Sequence, residues 1–191
     1  MPRNLRALVL LPLLAGTVSC ALIPGPNLHQ LKLTSVRVVS SNEVPNFVPI
    51  AKAALPERSF LVLNFSAERD LVEYAKRYEY NIVNDASICR DDEIDTAKLL
   101  QNDVYIYDPA GAVNAFRKDE SEEASASAGY NVYIAMKPIP LASRSVFEYD
   151  LQHNPENICV QLKGGNMLGD SFVSNVIVVP KSAISDALTH R

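Results

Sequence analysis

The chain has 191 residues, with 18 Lys and Arg against 22 Asp and Glu, and an apolar content of 48% without a single tryptophan. A net negative charge with no basic cluster argues against nucleic acid and anionic surfaces as partners, because both repel it. The length and apolar content suit one domain with a sizeable core.

The first twenty residues, "MPRNLRALVLLPLLAGTVSC", place Arg3 and Arg6 before an apolar run from Ala7 to Val18, with Gly16, Thr17 and Ser19 near its end. This is the three-part layout of a secretory signal over residues 1–19. A run of twelve residues, at about 1.5 Å each, falls short of the roughly 30 Å hydrocarbon core, which argues against a spanning helix. The stretch "TVSC" resembles the bacterial lipobox, with Val18, Ser19 and Cys20 on the pattern and Thr17 where leucine is usual. The resemblance implies that Cys20 carries palmitate or a similar acyl chain, begins the mature protein and anchors it to the membrane of the cell envelope. With Ala21 rather than Asp next, it further implies the outer membrane, facing the periplasm, in a Gram-negative host. The alternative is an ordinary signal peptide cut near Cys20, releasing a soluble protein.

Removing the signal takes away Arg3 and Arg6, so sixteen cations remain against 22 acids, a formal −6. If Cys20 is taken by lipid, the three cysteines reduce to an even pair, Cys89 and Cys159. In an oxidising compartment these two are expected to form a disulfide, with two separate buried thiols as the alternative. There is no Cys-x-x-Cys and no histidine near either position in sequence, so nothing points to a metal site.

Residues 20–30, "CALIPGPNLHQ", hold Pro24, Gly25 and Pro26 without periodicity and read as a tether. A single globular domain is expected over 31–191. "LKLTSVRVVS" is β-rich. In "SFLVLNFS" at 59–66, Phe60 and Val62 share one face and Leu61, Leu63 and Phe65 the other. Two apolar faces predict a strand covered on both sides. "SAERDLVEYAKRY" predicts the prominent helix: Ser66 as cap, Glu68 and Asp70 in the first turn, and Leu71, Tyr74, Ala75 and Tyr78 on one stripe. Lys76 and Arg77 stand in its last turn, where cations suit the helix dipole. A weaker helix is expected from Asp92 to Gln101, and a turn at Asp108–Gly111.

Residues 118–129, "KDESEEASASAG", are charged, then small and polar, and predict a solvated loop. Four β-like segments follow: "YNVYIAMK", "RSVFEYDL", "ICVQL" and "FVSNVIVV", with Pro138, Pro140, Pro155, Gly164, Gly165 and Gly169 between them. "KSAISDAL" predicts a terminal helix. The expected fold is mainly β, an antiparallel β-sandwich-like domain with one prominent α-helix; α+β is the alternative.

Motifs that carry chemistry are missing or broken. "GGNMLGDS" at 164–171 nearly matches a phosphate-binding loop, but Asp170 stands where the lysine belongs and would repel phosphate. Asp91, Glu93 and Asp95 have calcium-loop spacing, but Thr96 replaces the turn glycine and Asn102 the bidentate glutamate. Glu148 and Asp150 would share one face of a strand, where a polar outer face explains them as well as acid/base chemistry does. No G-x-S-x-G and no His-Glu-x-x-His is present, so no catalytic residue, metal ligand or cofactor is assigned. The expected role is therefore an accessory or interaction protein of the cell envelope. A small-ligand or protein-inhibitor binding module is the second reading and an unrecognised hydrolase the third. The candidate partner surface is the polar side of the prominent helix, Arg69, Glu73, Lys76 and Arg77, where cations and tyrosines share a rigid backbone.

Overall fold

The computed structural model describes residues 30–52, 58–114, 129–139 and 147–190. The signal segment, Cys20, the tether as far as His29 and residues 118–128 of the acidic stretch lie outside the described residues. Two antiparallel sheets form the body. The first has the order β1 (Lys32–Ser40), β2 (Ser59–Ser66), β7 (Tyr130–Ala135), β5 (Tyr107–Asp108), β6 (Gly111–Ala112). The second runs β10 (Ile177–Val179), β8 (Ile158–Gly165), β3 (Asn81–Arg90), β4 (Glu93–Leu99), with β9 (Ser171–Val173) also paired to β8. Three helices accompany them: α1 (Pro49–Lys52), α2 (Leu71–Tyr78) and α3 (Lys181–Thr189). Among the described residues no helix is long and apolar enough to cross a membrane.

The strand alternation decides what is buried. Leu61, Leu63 and Phe65 of β2 join Val132 and Ile134 of β7, and meet Ile82, Ile88, Ile158, Val160 and Leu162 of the other sheet in one core. Leu71, Tyr74 and Ala75 of α2 and Ile184 of α3 pack into the same core. The alternate residues, Phe60 and Val62, face away into a second cluster with Val44, Val48, Tyr107 and Tyr133. Strand β2 is thus interior to its sheet and covered on both sides, as its two apolar faces require. The cover on the second side is tied down by buried Asp103, which accepts from Tyr107 Oη at 2.8 Å and from the amides of Ile50 at 3.1 Å and Tyr105 at 3.2 Å. Three donors satisfy a carboxylate that would otherwise be costly to bury.

Cys89 and Cys159 form a disulfide with Cα atoms 5.0 Å apart, joining the neighbouring strands β3 and β8. The domain is mainly antiparallel β, and α2 is its prominent helix, burying Leu71, Tyr74 and Ala75.

Four local expectations change. The helix begins at Leu71 with Asp70 as cap, its Oδ1 accepting from the amides of Val72 at 2.8 Å and Glu73 at 3.1 Å. Ser66 cannot cap because it ends β2, paired with Lys32. The second predicted helix is strand β4 instead. Asp91 and Asp92 take left-handed φ of 52° and 62°, the backbone of a two-residue hairpin connection, and this turns residues 93–99 back along β3 with Glu93 opposite Arg90. Residues 147–150 are irregular, not strand, because Asp150 accepts from the amides of Gln152 and His153, both at 3.1 Å, and starts a turn. The segment "FVSNVIVV" divides into β9 and β10. Between them, Ser174 Oγ accepts from the Leu162 amide at 2.9 Å and donates to the Asn175 carbonyl at 2.7 Å.

Candidate functional site

The polar side of α2 is a groove of about 220 Å³ lined by Arg69, Asp70, Glu73, Tyr74, Arg77 and Tyr78. Glu73 and Arg77 stand four residues apart on one face of the helix, and Arg69, just before the Asp70 cap, lines the same groove. Lys76 is in the same helix but does not line this groove. Among the described residues no ion pair engages Arg69, Glu73 or Arg77. The Arg77 guanidinium lies 5.8 Å from the centre of the Tyr78 ring, within cation–π range.

Both ends of the helix are held by specific partners. At its start the Leu71 amide donates to Tyr130 Oη on β7 at 2.8 Å. At its end Tyr80 N donates to Ala75 O at 2.9 Å and Glu79 N to Lys76 O at 3.3 Å, with Glu79 left-handed at φ 56°. This is the Schellman arrangement, and its usual apolar contact is supplied by Tyr80 against Tyr74, 5.7 Å between ring centres.

Behind the helix lies an aromatic cluster that joins two segments distant in sequence, Tyr74 to Tyr80 and Phe172. Phe172 of β9 meets the Tyr74 ring edge-on at 5.3 Å and the Tyr80 ring at 5.4 Å, while Tyr78 stacks on Tyr80 at 5.6 Å. Phe172 sits over Gly164, its partner across the β8–β9 pair. A Cβ on Gly164 would come within 2.0 Å of Phe172 Cε1, so only glycine lets the ring lie there. Burial, with the nearby Tyr80 and Tyr78 hydroxyls, pushes the Tyr74 hydroxyl up to about 12, against a lowering effect of Arg69. It stays protonated at neutral pH.

Sequence reasoning found Arg69, Glu73 and Arg77 together, but not Phe172, Gly164 or Asn166 behind them. The pair of glycines before "NMLGDSF" was the available signal. It marks a hairpin whose two strands put residue 164 opposite residue 172.

The acids of the broken motifs lie in turns and in an open depression. Asp170, in the broken phosphate loop, helps close a hairpin: the Asp170 amide donates to Asn166 Oδ1 at 3.0 Å, and Asn166 Nδ2 to Asp170 Oδ2 at 3.2 Å. Asp91 forms part of the β3–β4 turn and Glu93 begins β4. Glu148 and Asp150 line an open depression of about 730 Å³ with Arg58, Lys137, Tyr149 and Glu156. Its cations are already engaged, Lys137 by Asp150 at 2.7 Å and Arg58 by the Pro138 carbonyl at 2.6 Å.

Partial burial works against ionisation of Asp150, but hydrogen bonds from Lys137 and His153 overcome it and lower the carboxyl to about 2. A group held so acidic is no general acid at neutral pH. Because its folded value is below the ordinary 3.8, its contribution to stability is present above about pH 4 and lost as pH falls toward 2. The side chain is 36% exposed, so solvent screening keeps the effect below about 1 kcal/mol. Thermal unfolding of wild type and Asp150→Asn should therefore differ above pH 4 and converge by pH 2. A difference that is constant across this window would remove Asp150 from the account.

No protein-family model, no curated protein and no solved structure matches this chain.

Proposed function

We propose that the chain is an exported, lipid-anchored protein of the bacterial cell envelope that works as an accessory or interaction protein, with the α2 groove as its docking surface. The anchor reading is supported by the lipobox-like "TVSC" ending at Cys20. The single observation that supports the docking surface is the charged stripe of Arg69, Glu73 and Arg77 along a groove whose helix is fixed at both ends and packed with four aromatic rings. Binding energy concentrates in rigid aromatic and arginine groups, since these lose little entropy when a partner covers them. The alternating signs of the stripe favour a partner segment with complementary charges rather than a uniformly charged polymer.

A crosslinkable residue at Glu73 or Arg69, introduced into the full chain in its host, should trap one defined protein. The same residue at Glu122 or Ser125 in the acidic stretch should trap none. Labelling with a fatty-acid probe should mark wild type and miss Cys20→Ala. Trapping from the acidic stretch alone would overturn the docking surface, and equal labelling of both proteins would overturn the anchor. If no position traps a protein while the purified chain retains a small molecule, the ligand-binding reading takes its place.

A further inference from the structure

We infer that the tip of the β8–β9 hairpin is a second contact with the lipid bilayer, made by Met167 and Leu168. The inference rests on the lipid anchor at Cys20 proposed above, and uses a different part of the domain from the docking groove.

Two adjacent large apolar side chains are displayed at this tip, Met167 100% exposed and Leu168 80% exposed. Single apolar residues on a surface are ordinary, but a turn built to hold two of them outward is another matter. The loop from Asn166 to Asp170 is closed by its own bonds. Asn166 N donates to Asp170 O at 3.1 Å and Gly169 N to Asn166 O at 3.2 Å. Asn166 Oδ1 accepts from the Leu168 and Asp170 amides, both at 3.0 Å. Gly169 supplies the left-handed φ of 93° that the turn needs. Asn166 Nδ2 also donates to the Tyr78 carbonyl at 3.0 Å, which fixes the loop to the end of α2. The apolar pair is therefore presented on a set backbone, and a partner does not have to order the loop.

The place where the chain enters the domain makes a bilayer the fitting occupant. Leu31 is clamped to Asn175: its amide donates to Asn175 Oδ1 at 2.9 Å, and Asn175 Nδ2 donates back to the Leu31 carbonyl at 3.1 Å. Asn175 lies seven residues from Leu168, a span of at most about 25 Å, so with the Leu31–Asn175 contact added the tip and Leu31 are at most about 31 Å apart. Eleven peptide steps separate Cys20 from Leu31, and these reach about 38 Å at full stretch. The tip can thus touch the membrane that holds Cys20 without strain in the connection. Tethering also turns a contact too weak for free binding into an intramolecular one at high effective concentration. With a formal −6 on the mature chain, anionic lipid offers no attraction, so the apolar pair carries the contact and zwitterionic lipid serves as well.

The chain has no tryptophan, so one introduced tryptophan reports on its own surroundings. The lipidated full chain carrying Met167→Trp, and separately Leu168→Trp, is reconstituted in phosphatidylcholine vesicles, with Glu93→Trp as reference. Glu93 is exposed beside the β3–β4 turn, at the opposite end of β3 from the tip. Emission from both tip variants should be blue-shifted and quenched by lipid brominated in the acyl chain, while Glu93→Trp stays water-exposed and unquenched. Added phosphatidylglycerol should leave this contrast unchanged. Tip variants that float with the vesicles but emit like Glu93→Trp would overturn the tip contact while leaving the anchor intact. A chain that does not float at all would overturn the anchor, and the tip contact with it. Shielding of the tip in whole envelopes but not in pure lipid would assign it to a protein and overturn the lipid contact.

Discussion

Replacing Cys89 and Cys159 together by alanine is expected to lower the unfolding free energy by about 3–4 kcal/mol. The bond closes a loop of 70 residues, and the loop-closure argument for that length gives about 4 kcal/mol from the unfolded chain alone. That loop contains β4 to β7, and in the unfolded ensemble the disulfide keeps its two ends together. Cys159 is wholly buried, and truncation there also removes packing atoms. Partly offsetting this, β3 and β8 already pair over eight residues from Asn81 to Ile88, so the strands need no bond to find their register. Urea unfolding of the oxidised wild type, the reduced wild type and the double variant checks the figure. The two forms without the bond should agree with each other, and both should show a steeper dependence on urea, because the uncrosslinked chain exposes more surface. A loss under about 1 kcal/mol would mean that loop closure is not what this bond contributes.

The parts of the fold that could be read from sequence were those whose signal is local. Strand β2 announces both of its faces within eight residues, and α2 announces its stripe within two turns. The pairing of Cys89 with Cys159 followed from counting, not from spacing. What was misread depended on backbone conformations that composition does not reveal. Asp92 suited the start of a helix because acids are common there, yet Asp91 and Asp92 as a pair at left-handed φ reverse the chain. Ser66 had the chemistry of a cap, but its place in the β1–β2 ladder was decided by Lys32, 34 residues earlier. The docking groove was half legible for the same reason. Its charged groups lie close together in the chain, from Arg69 to Arg77, whereas its aromatic backing comes from β9 and from Tyr80 just before β3. Residues brought together only by sheet pairing leave no periodic trace in the chain.

That backing can be separated from the groove by substitution at Phe172. Phe172→Ala should cost about 3–5 kcal/mol, because a buried ring is lost and Gly164 beneath it has no side chain with which to fill the space. That is a large share of the roughly 5–15 kcal/mol total for a domain of ordinary size. Phe172→Leu keeps most of the volume and should cost less than about 1.5 kcal/mol. The loss should also be uneven. The start of α2 is held by Tyr130 and Asp70, which Phe172 does not touch, whereas its end depends on Tyr74 and Tyr80 packing against the Phe172 ring. Amide hydrogen exchange distinguishes the two ends. In Phe172→Ala the amides of Glu79 and Tyr80, which close the helix on Lys76 and Ala75, should exchange faster relative to wild type than the amide of Leu71. Equal acceleration at all three would mean that the helix opens as one unit with the domain, and that the ring cluster does not specifically secure its end.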